Sequence, residues 1–327
     1  MKALVVGLGS MGKRRTRLML AFAEDVTVVG VDSNEQRRKE FGELFSSGAF
    51  ASVAEAVSEF SPDVGFVCSP PLTHGAIIGD LLLAGVHVFS EINLASDRYD
   101  ENILLAKQRG LVLFLSSTPM YRKEIEYITD QVGKRKGLCY RYHVGQYLPD
   151  WHPWESYTEF FAADSRTNGC RELFAIELPW IVNAFGEVSN LTSEAKRLSA
   201  LDIDYPDCFA VTLSHKSGVM GQLMVDVVSR KAVRELEVFS EDLYLRWGGA
   251  PDSLYHYDIA AKLDRKIVCY EDILQDTRYS DNIVENAYVE EIHAFFDFIN
   301  GIGTPKHSFE ADREIVALLD VIEGKSE

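Results

Sequence analysis

A chain of 327 residues is too long for one ordinary hydrophobic core and, at roughly 150 residues per domain, implies two domains. Hydrophobic residues at 46% and charged residues at 25% are an ordinary globular composition, with no apolar run of about 20 residues to cross a membrane. Fifty acids against 33 bases leave a formal charge of −17, which repels nucleic acid and anionic membranes, so neither is an expected partner.

The start, MKALVVGLGSMG, has a short apolar stretch after Lys2 but no small-residue cleavage pattern, and a cytoplasmic location is expected. Lys2 to Val6 reads as a strand, followed by GLGSMG and a helical pattern to about Ala23. The KRR cluster, Lys13 to Arg15, reads as the solvated first turns of that helix. Val26 to Val31 is a second strand ending in Asp32. Ser52 to Phe60 is helical, and Val64 to Cys68 is a continuous apolar strand of the kind covered on both faces. Thr73 is placed to N-cap a helix running to Ala84, which Gly85 stops. His87 to Ser90 is a strand, Asp97 caps a helix ending near Arg109-Gly110, and Leu111 to Leu115 is another strand. This alternation predicts an α/β protein with an N-terminal doubly wound Rossmann domain over residues 1–120.

From about residue 137 the pattern changes to long alternating strands: Leu138 to Tyr147, then Phe209 to His215 and Val219 to Val228 around a tight Lys216-Ser217-Gly218 turn. Glu235 to Phe239 and Leu243 to Trp247 form another antiparallel pair. Residues 121–327 are thus expected to form a C-terminal α/β domain on an open, mostly antiparallel mixed sheet, the final helices packing back on the first domain. The uncovered sheet face calls for a second copy, a homodimer or homotetramer. The five cysteines are odd in number and lack a CxxC pair, so reduced thiols are expected and no metal site.

Strand, GxGxxG and helix together make a phosphate cradle: Gly7 for the tight turn, Gly9 for close approach of backbone to a pyrophosphate, Gly12 for helix–strand packing, with Ser10 and Met11 in the loop. The helix N-terminus adds favourable partial charge. Asp32, 20 residues after Gly12 at a strand end, suits both ribose hydroxyls of an adenosine and repels a 2′-phosphate. NAD is therefore expected over NADP, although Arg37 and Arg38 stand within reach of such a phosphate.

CSPPLTH (Cys68 to His74) ends one parallel strand and HVFSEINLAS the next. With NGCRELFAIELPWIVNAFGEV and the late segment YVEEIHAFFDFINGIGTPKHSFEADREIVALLDVIEG, the chain resembles the Gfo/Idh/MocA oxidoreductases along nearly its whole length. The resemblance implies oxidation or reduction of sugars, inositols or related polyols with NAD or NADP. It adds Ser69, Pro70, His74 and Glu91 to the cofactor-binding set, Glu91 near the nicotinamide and His74 either facing it or supporting the helix that follows. Family members normally read Glu-Lys-Pro where this chain has Glu91, Ile92 and Asn93, and the lysine assists proton transfer. An Asp and a His four residues later are likewise replaced by Glu172 and Ile176.

Hydride transfer belongs to the cofactor; the protein must orient the reactants and move one proton, which isoleucine cannot do at any pH. Glu172 keeps a carboxylate that serves as acid or base if burial raises its pKa, or else caps or pairs at a helix start. GQYLPDWHPWESY (145–157) gathers Tyr147, Trp151, His152 and Trp154 in a proline-broken loop. His152 and Tyr147 are further catalytic candidates, and Trp151 and Trp154 suit stacking on a sugar. Tyr121 and Arg122, just past the last Rossmann strand, are candidate substrate contacts, Arg122 for a carboxylate or phosphate.

The expected activity is an NAD(P)-dependent oxidoreductase acting on a small sugar or sugar derivative. A further likeness, in YLPDWHPWESY and RELFAIELPW, to family members of nonulosonic (sialic-acid-like) sugar pathways suggests that substrate class or a nucleotide sugar. Two alternatives are an NAD-binding sensor or subunit without net catalysis, and a redox-neutral enzyme that retains NAD.

Overall fold

The computed structural model describes residues 1–152, 155–276, 278, 280 and 282–325. The chain divides into two units, Met1–Ser117 with Tyr288–Glu314, and Thr118–Ala287 with Ile315–Glu327. Trp154 lies outside the described residues.

The first unit alternates β1 (Lys2–Val6), α1 (Ser10–Phe22), β2 (Thr27–Val31), α2 (Glu35–Phe45), β3 (Ala49–Phe50), α3 (Val53–Phe60), β4 (Val64–Val67), α4 (His74–Leu83), β5 (His87–Ser90), α5 (Tyr99–Arg109) and β6 (Leu113–Leu115). The strands lie in the order β3-β2-β1-β4-β5-β6, every neighbour parallel. This is the doubly wound order, which binds ligands beyond the carboxyl ends of its strands where the order reverses, here between β1 and β4. Continuous apolar runs build it because both faces are covered. One face packs Leu4, Val6, Val29, Val31, Leu81 and Val88. On the other, Phe89 stacks on Phe66 at 4.8 Å and on Phe114 at 5.3 Å, with Phe295 edge-on to all three.

Three local expectations are corrected. The Thr73 hydroxyl donates to the Pro70 carbonyl and caps nothing, because Pro71–Thr73 is itself a 3-10 turn leading into α4. The N-cap position of α5 falls on Arg98, in the left-handed region, one residue after Asp97. Of the KRR cluster only Lys13 keeps solvent contact: Arg14 is 4% and Arg15 0% exposed. The helix face bearing Gly12 must lie against the sheet, and residues three and four further on share that face. The pattern also passed over α2, whose start is fixed by the Asn34 side chain accepting from the Gln36 and Arg37 amides.

The second unit holds α6 (Lys123–Gly133), β7 (Cys139–Gly145), α7 (Gly169–Phe185), β8 (Val188–Lys196), β9 (Cys208–His215), β10 (Met220–Asp226), β11 (Val233–Phe239), β12 (Tyr244–Trp247), β13 (Leu254–Asp258) and β14 (Leu263–Lys266). Two helices follow, α8 (Glu285–Ile299) and α9 (Phe309–Ile322), each shared between the units by the division above. The sheet order is β14-β13-β12-β11-β7-β10-β9-β8, with β7 and β10 parallel and every other pair antiparallel, the mixed sheet expected. Alternate residues face α7: Tyr140 stacks on Phe185 at 4.1 Å, and Phe209 meets Phe174 at 5.6 Å. The intervening residues, among them Arg141, Thr212, Gln222 and Met224, are exposed on the opposite face. No described helix is long and apolar enough to cross a membrane.

Candidate functional site

Gly7, directly after β1, has φ +93°, and a Cβ there would lie 2.6 Å from the Cys68 carbonyl oxygen. A Cβ on Gly12 would lie 1.9 Å from the Gly7 carbonyl oxygen. A Cβ on Gly9 meets nothing within 4 Å. Two glycines are thus demanded by the fold, while the third leaves open space at the first turn of α1, where Ser10 and Met11 begin the helix. That is the space a pyrophosphate needs, facing unpaired helix amides and the positive end of the dipole. Asp32 follows β2; its Oδ2 accepts from the Leu8 amide at 2.9 Å and its Oδ1 from the Asn34 amide at 2.8 Å. The carboxylate is thereby fixed against the glycine loop, each oxygen keeping one lone pair for a ligand. Arg37 Nη1 stands 3.8 Å from Oδ2, and Arg38 donates to the Asp32 and Ser33 carbonyls. The residues present fit a dinucleotide.

Glu91 follows β5, at the same sheet edge. Its Oε1 accepts from Arg15 Nε at 2.6 Å. Arg15 Nη2 also donates to Glu291 Oε2 at 2.7 Å and to Ser116 Oγ at 3.1 Å, and the guanidinium lies 4.5 Å from the Phe89 ring centroid. Glu291, wholly buried, accepts from the Ser117 amide at 2.6 Å. Two carboxylates so close hold the arginine protonated despite burial. Nothing in the expected site named Arg15 or Glu291; the inward phase of α1, set by Gly12, was the available signal for the first.

His74 opens α4 and is buried. Its Nε2–H donates to the Ser69 carbonyl at 2.7 Å, and Nδ1 lies 2.8 Å from the Asn93 side-chain amide. Burial pushes the imidazole pKa down. Asn93 therefore orients His74 through this contact. Ser69 Oγ lies 2.8 Å from Thr73 Oγ1, and the Pro70 carbonyl accepts from the Thr73 amide, so CSPPLTH is a rigid turn. Ile92 is partly buried and carries no proton.

The second unit gathers its own cluster where β7 and β10 end. The Gln146 amide donates to the Asp226 carbonyl and the Leu148 amide to the Val227 carbonyl, carrying the parallel pairing beyond both strands. The first turn of α7 closes on them: a Cβ on Gly169 would lie 3.0 to 3.3 Å from Val227, Leu148 and Trp151 side chains. Asn168 starts the helix, its side chain accepting from the Arg171 amide at 2.8 Å. Glu172 lies one turn on from Gly169, on the same face. Its Oε2 is buried without a hydrogen-bond partner among the described residues, and burial pushes the carboxyl up to about 8. Among the described residues it neither caps the helix nor pairs with a cation.

The loop residues divide. The Arg230 guanidinium lies 3.7 Å from the Tyr147 ring centroid. Trp151 Nε1 donates to the Gln146 carbonyl at 3.3 Å. His152 Nδ1 lies 2.8 Å from Glu155 Oε1, and its ring packs 4.5 Å from Phe160. Tyr121 is buried. Arg122 is buried as well, its guanidinium engaged within the protein rather than open to a substrate anion. It donates to Glu124 Oε1 at 2.7 Å and to the Gly249 and Asn282 carbonyls at 2.8 Å, and lies 4.8 Å from the Trp247 ring centroid.

Residues 1–116 match the family model described as an oxidoreductase family with an NAD-binding Rossmann fold, Gfo/Idh/MocA. No curated protein matches the chain by sequence. Among solved structures, UDP-N-acetylglucosamine 3-dehydrogenase from Acidithiobacillus ferrooxidans is 19% identical, with a TM-score of 0.77 over 99% of this chain and 97% of that one. An Agrobacterium radiobacter oxidoreductase in complex with NAD+, L-tartaric acid and magnesium is 14% identical, TM-score 0.82, covering 99% of this chain and 96% of that one. Biliverdin reductase from Synechocystis is 15% identical, TM-score 0.77, covering 99% and 98% respectively. At these identities the likeness is one of fold. The glycine loop, Asp32 and the matched segment agree: residues 1–116 of this chain form an NAD-binding Rossmann domain similar to that of the Gfo/Idh/MocA oxidoreductases.

Proposed function

We propose that the protein is an NAD-dependent oxidoreductase acting on the hydroxyl or carbonyl of a sugar or sugar derivative, with Glu172 as its proton-transfer group. The observation that carries this reading is the half-buried Glu172, whose Oε2 is enclosed without a partner among the described residues and whose pKa burial pushes up to about 8, in a chain whose Ile92 cannot do the proton work of a lysine. Bound NAD supplies the hydride chemistry. Gly9 and the start of α1 hold its pyrophosphate, Asp32 its adenosine ribose, and Glu91 and His74 its nicotinamide end. Near neutrality Glu172 is mostly protonated, able to give a proton to a forming alkoxide; above about pH 8 it is a carboxylate, able to take one. Trp151 and Tyr147 offer ring faces to the sugar, and His152 is the second candidate for the proton.

Asp32 supports NAD over NADP. A second copy covering the open sheet face is supported by exposed Met220, Met224 and Phe239. Native mass measurement of the purified protein checks it, and a monomer at micromolar concentration refutes it.

The test is NADH formation with UDP-N-acetylglucosamine and a panel of sugars from pH 6 to 9.5, for wild type and Glu172→Gln. Oxidation that rises through about pH 8 and is lost in the variant supports the assignment. An activity that keeps its rate and pH profile in Glu172→Gln removes Glu172 from the chemistry. The missing lysine favours one other reading, an NAD-binding protein without net turnover; tight NAD binding with no absorbance change across the panel would establish it.

A further inference from the structure

The chain carries 17 more acids than bases, and several of its arginines hold carboxylates: the buried Arg15 binds Glu91 and Glu291, the buried Arg171 binds Asp320 and Glu323, and the half-buried Arg234 binds Glu177. Arg230 is different. Among the described residues it has neither a carboxylate within 4 Å nor a hydrogen-bond acceptor, and its guanidinium lies over the Tyr147 ring. Lys231, next to it, is exposed and likewise unpaired among the described residues. Val228 and Ser229, just before them, are fixed by Asp226 Oδ1, which accepts from both amides at 2.9 and 2.7 Å. His143 Nε2 lies 2.7 Å from Asp226 Oδ2. The two cations therefore follow a braced segment at the shared exit of β7 and β10, whose Val227 meets Gly169 at the start of α7.

A ring face with a guanidinium on it, the donors left open, is a site for a flat or apolar group joined to an anion. We propose that Arg230 and Lys231, with Tyr147, bind the anionic group of the substrate, a phosphate or a carboxylate attached to the sugar. The proposal rests on the reading that the second unit binds a sugar-like substrate, and narrows it from neutral polyols to anionic sugars. Arg230 supplies the paired donors that a planar or tetrahedral oxyanion accepts, and Lys231 a point charge.

Calorimetric titration of NAD-saturated protein with UDP-N-acetylglucosamine, glucuronate and neutral N-acetylglucosamine tests it, NAD saturation keeping the nucleotide probe out of the Rossmann site. The expected result is that one anionic probe binds at least about tenfold more tightly than N-acetylglucosamine, and that Arg230→Ala with Lys231→Ala abolishes this advantage. Preference for the UDP-sugar assigns a phosphate, and preference for glucuronate a carboxylate. Arg230→Lys is expected to restore part of the advantage, since charge survives and the paired donors do not. No preference for either anion in the wild type, or a preference that survives the double substitution, overturns the proposal. NADH formation in the same samples separates the two readings. Turnover of a neutral sugar without anion preference sinks the anion site and leaves the oxidoreductase. Anion preference lost on substitution, with no turnover of any sugar, does the reverse.

Discussion

Arg15, three residues past the last glycine of the GxGxxG loop, donates from Nε to Glu91 Oε1 at 2.6 Å, joining the helix that follows the loop to the end of β5. Removing one member of a buried ion cluster leaves the others uncompensated and costs about 3–5 kcal/mol. Arg15→Met is expected to lose stability on that scale in urea unfolding. Glu91→Gln leaves Arg15 paired with Glu291, so it should cost less, about 1–2 kcal/mol, while weakening NAD binding. Equal losses from both substitutions would show that Glu91 is the sole counterion that matters.

The glycines of the loop separate fold from ligand. Gly12→Ala places a methyl 1.9 Å from the Gly7 carbonyl oxygen and should destabilise by about 3 kcal/mol or prevent folding. Gly9→Ala puts the same methyl into open space, so thermal unfolding should stay within about 0.5 kcal/mol of wild type while NADH fluorescence titration shows a loss of about tenfold or more. Undiminished NADH affinity in Gly9→Ala would place the pyrophosphate elsewhere.

On the proposed reading, Asp32 sets the choice of dinucleotide. Asp32→Asn keeps an acceptor for the Leu8 amide while removing the charge that repels a 2′-phosphate and leaving Arg37 beside it. Competition titration should show NAD affinity falling and NADP affinity rising, the ratio moving by about tenfold or more. An unchanged ratio would mean that the adenosine ribose does not reach Asp32.

Glu172 predicts a pH-dependent stability. Its carboxyl titrates at about 8 in the folded chain against 4.5 for an ordinary glutamate, so folding favours the protonated form. That contribution is complete below about pH 4.5, declines as pH rises, and is gone above about pH 8. Glutamine is neutral throughout. Glu172→Gln should therefore match wild type in unfolding free energy near pH 5 and exceed it by about 1–3 kcal/mol at pH 9, the full shift being discounted because the residue is only partly buried. A constant difference across that range would show that the carboxyl is not desolvated.

Strand, glycine loop, helix and terminal acid were legible because each follows from local chemistry: apolar runs, the turn geometry at Gly7, a carboxylate at a strand end. The departures at Ile92, Asn93 and Glu172 were legible only against the family pattern. What they touch was not. Asn93 meets His74 across 19 residues, and Arg15 meets Glu291 across 276, and no local spacing encodes such pairs. Arg122 shows the converse, since an arginine at an element junction reads as an anion site until its carboxylate and carbonyl partners are known. Arg230 escaped notice because a basic pair in a strand–loop–strand stretch resembles any solvated turn; only its stacking on Tyr147 and its lack of a carboxylate among the described residues distinguish it.

Asn168, which starts the helix bearing Glu172, donates from Nδ2 to Glu323 Oε1 at 2.6 Å, and Arg171 reaches Glu323 and Asp320. The seating of the Glu172 carboxyl thus depends on residues some 150 positions away, at the C-terminal end of α9. In a mutational scan scored by activity alone, Glu323 would stand out as though it took part in the reaction. Only its failure to alter the pH profile, against the altered profile of Glu172→Gln, would tell a misplaced helix from a lost proton donor.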